Sequence, residues 1–143
     1  MYKQFVRPQL EYCVQVWSPV YIGDVDRIEK VQNRFTRLLR HGRVMSPAER
    51  NSALEITDHK TRRLRGDLIY IYKMFDSSLF VESVERRTRG HSRRLVLERT
   101  ANNIRKHSFS VRSVTVWNSL PEEIVCSEDL DSFKNRIDLY LSR

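Results

Sequence analysis

Gly23-Asp-Val-Asp-Arg-Ile-Glu-Lys-Val-Gln-Asn-Arg-Phe-Thr-Arg-Leu-Leu-Arg-His-Gly42 is the stretch from which the fold is read. Its spacing predicts one amphipathic helix. Asp24 is a favourable N-cap residue, and Gly42 stands where a left-handed glycine ends a helix. Between them Val25, Ile28, Val31, Phe35, Leu38 and Leu39 share one side of a 3.6-residue spiral. Arg27, Lys30, Arg34, Arg37 and His41 share another, within an arc of roughly 80°. The apolar side wants a core. The aligned cations contribute almost nothing to folding and repel one another at this spacing, so their stripe is either a solvated face or a face for an anion.

Outward from this helix, charge is distributed unevenly along the 143 residues. The net charge is +8; residues 1–59 hold nine Lys/Arg against seven Asp/Glu, residues 60–112 fourteen against five, and residues 121–143 three against six. The basic middle makes a polyanion the natural partner. Within it, Lys60, Arg62, Arg63 and Arg65 crowd the start of a second long helix, where cations oppose the helix dipole. A placement mildly unfavourable for folding points to binding. Further on, Arg86, Arg87, Arg89, Arg93 and Arg94 lie in a nine-residue stretch with no apolar anchor, which predicts an exposed basic loop whose guanidinium groups fork onto phosphate oxygens.

The remaining elements also read as helices. Residues 2–17 form a mainly apolar helix ended by Ser18-Pro19, and its abrupt opening suits a chain truncated at its N-terminus. Ser46-Pro47-Ala48-Glu49 is a capping box ahead of a short helix to about Leu54. Thr57 is the expected cap of the next helix, with Leu64, Leu68, Ile71, Tyr72 and Phe75 as its core side. One more helical turn is expected over residues 79–85, and Leu95-Val96-Leu97 is a short strand without a visible partner. A helix begins near Phe109 and ends before Leu120-Pro121. Ser127 caps the last helix, with Leu130, Phe133, Ile137 and Leu141 facing inward. The fold class is therefore mainly α: a small helical bundle over 1–78, a basic linker or loop over 79–108 and a C-terminal helical extension over 109–143. Trp17, Phe35, Tyr72, Phe75, Trp117 and Phe133 are expected to pack internally and not to form a stacking platform.

Several function classes find no support in the residues. Asp24 and Asp26, like Asp129 and Asp131, lie at helix starts, where capping and the dipole account for them; His41, His59, His91 and His107 have no zinc spacing. Neither a glycine-rich phosphate loop nor a nucleophile elbow occurs. We expect no active site, no metal and no cofactor. Cys13 and Cys126 read as free, buried thiols of a reducing compartment. With no apolar run approaching 18 residues and no signal-peptide core, the expectation is an intracellular chain without a membrane span, nuclear or cytoplasmic.

Five pieces in order carry a resemblance: Phe5-Val6-Arg7-Pro8-Gln9-Leu10-Glu11-Tyr12-Cys13 with Val16-Trp17-Ser18-Pro19, Ile28-Glu29-Lys30-Val31-Gln32-Asn33-Arg34-Phe35-Thr36, Arg62-Arg63-Leu64-Arg65-Gly66-Asp67-Leu68-Ile69, Thr88-Arg89-Gly90-His91-Ser92, and Phe109-Ser110-Val111-Arg112 with Trp117-Asn118-Ser119-Leu120-Pro121. Together they resemble the region after the polymerase palm in reverse transcriptases of non-LTR retrotransposons of the jockey and chicken-repeat type. The resemblance implies a thumb-like helical region and a C-terminal extension of an RNA-directed DNA polymerase. It also implies a grip on RNA or RNA–DNA hybrid by non-specific backbone contact, and a palm domain as a further partner. That family's paired metal-binding aspartates have no counterpart here, since the sequence contains no Asp-Asp pair. The expected function is non-catalytic: Arg27, Lys30, Arg34 and Arg37 along duplex phosphates, assisted by Arg62, Arg63, Arg65 and the arginine loop. A helical protein-interaction module that binds no nucleic acid is the alternative.

Overall fold

The computed structural model describes residues 2–38, 43–75, 77, 80–83 and 90–142. These are mainly α-helical, with no strand beyond a single bridge. Two compact units are present, Met1–Arg63 and Leu64–Arg143. They divide within the helix His59–Met74, and not at 78/79 or 108/109.

In the first unit a π-helical turn, Tyr2–Val6, leads into α1, Arg7–Glu11, with Pro8 in its first turn, where a missing N–H costs nothing. The single helix expected over residues 2–17 therefore ends early. Tyr12 leaves it extended, and Cys13 takes a left-handed φ of 51°. α2 runs from Ile22 to Arg37. Its N-cap is Tyr21 and not Asp24: Tyr21 is extended and its carbonyl accepts from the backbone N–H of Asp24 (3.0 Å) and Val25 (3.1 Å). Asp24 lies inside the first turn, where a carboxylate complements the dipole. The proposed stop at Gly42, with Leu39 and His41, lies outside the described residues. α3, Pro47–Ala53, carries the expected capping box: Ser46 Oγ accepts from Glu49 N–H (3.3 Å), and the Glu49 carboxylate accepts from Ser46 N–H (2.7 Å).

α4 spans His59–Met74. Asp58 caps it in place of the expected Thr57, its carboxylate accepting from Thr61 N–H at 3.0 Å. In the second unit follow α5 (Asn103–Lys106), α6 (Phe109–Trp117), α7 (Glu122–Val125) and α8 (Leu130–Leu141). Asp129, and not Ser127, caps α8 by accepting from Ser132 N–H at 2.6 Å. Leu68, Ile71, Phe75, Val114, Trp117, Phe133 and Ile137 form this unit's core, with Leu64, Tyr72 and Phe109 packed against it. Tyr72 stacks on Phe133 with ring centroids 4.3 Å apart. Of the helical turn expected over 79–85, residues 79, 84 and 85 lie outside the described residues and 80–83 are not helical: Glu82 bridges Leu95 antiparallel, with Ser83 N–H donating to Arg94 O and Val96 N–H to Val81 O, both at 2.8 Å. In place of the expected strand at 95–97 there is thus an isolated bridge at Leu95. Cys13 and Cys126 are free, as expected, but Cys126 is exposed and Cys13 half-buried. No helix among the described residues is long and apolar enough to cross a membrane.

Candidate nucleic-acid interface

The interface begins with which face α2 turns inward. Gln32 and Thr36 are fully buried on it, while Val31 (40% exposed) and Leu38 (75%) are not. At 100° per residue, the buried face is rotated by roughly 60° from the one that apolar spacing indicates. The cause is a polar interior. Gln32 Oε1 accepts from Tyr2 OH (2.9 Å) and Arg62 Nη2 (2.8 Å), and Gln32 Nε2 donates to Asn51 Oδ1 (3.2 Å) and Thr57 O (3.4 Å). All four hydrogen-bonding positions of the amide are used, which removes the usual penalty for burying it. Thr36 Oγ1 likewise accepts from Arg50 Nε at 3.1 Å.

This rotation sets the basic stripe opposite Gln32. Arg27, Lys30, Arg34 and Arg37 are all exposed and span about 15 Å of helix axis. Arg27 reaches Asp24 at 3.0 Å in an exposed i,i+3 pair, a kind of contact worth roughly 0–1 kcal/mol and so readily exchanged for a phosphate.

The other expected contacts are placed differently. Arg62 and Arg63 are buried in the first unit. Arg62 pairs through Nε with Glu11, donates from Nη1 to Thr57 O, and from Nη2 to Gln32 and His59. Arg63 lies over the Trp17 ring, 4.7 Å from its centroid. Two of the four cations that crowd this helix start are thus interior residues, and for them the mild dipole cost accompanies packing; Lys60 is exposed. Arg65, in the second unit, forms a two-bond pair with Asp138, with Nη2–Oδ2 at 2.9 Å. Arg93 lies over Phe75 at 5.0 Å, and Arg94 is half-buried. Arg86, Arg87 and Arg89 lie outside the described residues. Among the described residues, the expected site residues that are exposed are the four of the α2 stripe.

The motif pieces of the second unit are engaged with one another. Asp67 and Arg112 form a bidentate pair at 2.9 and 3.2 Å. His91 meets Trp117 O through Nε2 at 2.9 Å, and Trp117 Nε1 donates to Arg93 O at 2.8 Å. Asn118 closes both backbone groups of Leu95, at 2.9 and 2.8 Å. Ser92 donates to the Glu122 carboxylate through both N–H (2.7 Å) and Oγ (2.6 Å), which holds that carboxyl below its usual range. Gly90, at φ 148°, occupies a conformation open to glycine, and a Cβ there would meet Arg94 Cδ at 3.1 Å.

A cavity of about 500 Å³ lies in the second unit beside Ile124, Leu139 and Tyr140. Its polar walls are occupied: Glu122 accepts from Ser92 and Cys126, and Arg136 donates to Glu123 O. No three His, Cys, Asp or Glu side chains among the described residues are grouped as a metal site requires.

Sequence reasoning missed a different surface. Tyr12, Val16, Trp17, Val20, Tyr21 and Ile22 are exposed, and residues 12–22 contain no charged residue. Trp17, expected inside, is 38% exposed and anchored at its edge, where Nε1 donates to Tyr12 O at 2.6 Å. The absence of charge over these eleven residues was the available signal. No family model, no curated protein and no solved structure matches this chain.

Proposed function

We propose that this chain is a non-catalytic nucleic-acid grip, related by its motifs to the post-palm, C-terminal region of a retrotransposon RNA-directed DNA polymerase. The observation that carries the reading is the row of four exposed cations, Arg27, Lys30, Arg34 and Arg37, on the face of α2 opposite the buried Gln32. A straight row of cations without an accompanying set of base-reading side chains suits phosphates and not a sequence. The partner is RNA or RNA–DNA hybrid, held by its backbone.

Each cation on a phosphate releases a counterion, so four contacts give a slope of log affinity against log salt of about −3 to −4 on a duplex. Between 50 and 200 mM salt, affinity falls about a hundred-fold. Replacing all four residues by Gln abolishes most of the binding and flattens the slope while leaving the helical circular dichroism unchanged. Fluorescence anisotropy with a labelled hybrid measures both effects, and a flat salt response of the unaltered chain rules the reading out.

A second reading, a helical protein-interaction module, is favoured by the uncharged, exposed stretch from Tyr12 to Ile22. Contiguous apolar surface of this kind marks interaction sites. Self-association in sedimentation with no measurable nucleic-acid affinity would select it over the first.

A further inference from the structure

The polar interior of the first unit is wired in one direction only. Arg62 has no acceptor, so its Nη2, 3.1 Å from His59 Nδ1, must donate there. Nδ1 therefore carries a lone pair, and the proton of the neutral ring sits on Nε2, which faces Tyr2 Oη at 2.9 Å. Tyr2 Oη accepts a hydrogen bond from that N–H and donates its own to Gln32 Oε1. Burial raises the Tyr2 phenol above its ordinary value, so the hydroxyl stays a donor. Gln32 holds Asn51 of α3, and Arg62 holds Glu11 of α1. The circuit ties the π-helical turn, α1, α2, α3 and the start of α4 together, and His59, 1% exposed, is the member whose ordinary titration range lies nearest neutral pH.

We infer that His59 is an acid-sensitive latch: only its neutral, Nε2-protonated form closes the interior of the first unit, and a second proton on Nδ1 releases Tyr2 and α1 from α2 and the start of α4. A protonated Nδ1 would set an N–H against a guanidinium N–H, two donors without an acceptor between them.

The charges facing the ring reinforce this. On its own helix stand Arg62 and Arg63; α1 presents Arg7 and Glu11; α2 presents Glu29, whose carboxylate accepts the His59 backbone N–H at 2.7 Å; the π-helical turn presents the neutral Tyr2. Glu11, 3.8 Å from Nδ1, is the carboxylate placed to favour protonation, and it is already shared between Arg62 and Arg7. Three guanidinium groups thus outweigh it. Burial first, and then Arg62, lower His59 from the ordinary 6.5 to about 4. A group lowered on folding binds its proton more readily in the opened form. The latch is therefore fully closed above about pH 6.5 and loosens as pH falls from there towards 4. Over that window the opening equilibrium changes by up to about 300-fold.

The test is amide hydrogen exchange of the whole chain, corrected for intrinsic rates, at steps between pH 7 and 4. Protection of α2 should fall by up to about 300-fold, and H59Q, which retains an acceptor and a donor but does not titrate, should remove that step. The same step in H59Q overturns the proposal. Should H59Q fail to fold, ¹⁵N imidazole spectra of the unaltered chain decide. A bare Nδ1 at pH 7 and a midpoint near 4, with α2 protection falling between about pH 6.5 and that midpoint, support the latch. A His59 that titrates near 6.5 with protection intact overturns it.

Discussion

The two units solve the same packing problem with opposite materials. In the first, Gln32, Thr36, Arg50, His59, Arg62 and Arg63 are buried; among the described residues its buried large hydrophobics are Tyr2 and Val14. In the second, Leu68, Ile71, Phe75, Leu95, Val114, Trp117, Leu120, Phe133 and Ile137 are buried in one contiguous cluster. The exteriors invert accordingly: of fifteen exposed large hydrophobics among the described residues, ten belong to the first unit. Apolar burial is non-directional and scales with area, whereas a hydrogen-bonded interior holds only while every donor meets its acceptor. The second unit should therefore tolerate changes of shape, and the first should not tolerate changes of chemistry.

The largest effect tests the apolar side. Phe133 is fully buried between Tyr72 and Trp117, and Phe133→Ala removes that contact and leaves a cavity. It should destabilise by about 3–5 kcal/mol in urea titration followed by Trp fluorescence. A cost under 1 kcal/mol would mean that the cluster collapses around the gap and is far looser than its burial indicates.

Next comes a matched pair, one substitution in each unit. Leu68→Met conserves volume in the second core and should cost under about 1.5 kcal/mol. Gln32→Leu conserves size in the first, yet it strips partners from Tyr2 OH, Arg62 Nη2, Asn51 Oδ1 and Thr57 O. Orphaned buried groups cost about 1–3 kcal/mol each before relaxation, so a net loss of roughly 2–3 kcal/mol is expected. Equal costs for the two substitutions, by the same titration, would erase the distinction between the units.

The distinction also explains what could be read from the sequence. α4, α6 and α8 were legible because Leu68, Ile71, Phe75, Trp117, Phe133 and Ile137 are apolar, recur at helical spacing and are buried. α2 was legible as a helix with a basic stripe but not as a rotor. Spacing puts Gln32 between Leu39 and Val25 at the edge of the apolar arc and Thr36 just beyond it, but nothing local to residues 23–42 reveals that Tyr2, Asn51 and Arg62 complete the Gln32 amide. Long-range partners of polar groups leave no periodic trace. The same blindness turned Arg62 and Arg63 into expected phosphate contacts. Capping shows the intermediate case: the Ser46 box is legible in the sequence and present in the fold, while the caps of α4 and α8 are Asp58 and Asp129, one and two residues beyond Thr57 and Ser127.

Ser46→Ala gives the smallest effect and the sharpest question about the first unit. The box is local: Ser46 Oγ satisfies one otherwise unpaired N–H at the start of α3, and an N-cap of this kind is worth about 1 kcal/mol. α3, however, also carries Arg50 to Thr36 and Met45 O, and Asn51 to Gln32. If the helix start frays independently, the substitution costs about 1 kcal/mol and amide exchange in α2 is unchanged. If the polar interior behaves as one cooperative network, fraying at Pro47 misplaces Arg50 and Asn51, and protection at Gln32 and Thr36 falls with it. A loss well above 1 kcal/mol, accompanied by faster exchange in α2, would establish the second behaviour, because Arg50 and Asn51 carry the hydrogen bonds from α3 to Thr36 and Gln32 of α2.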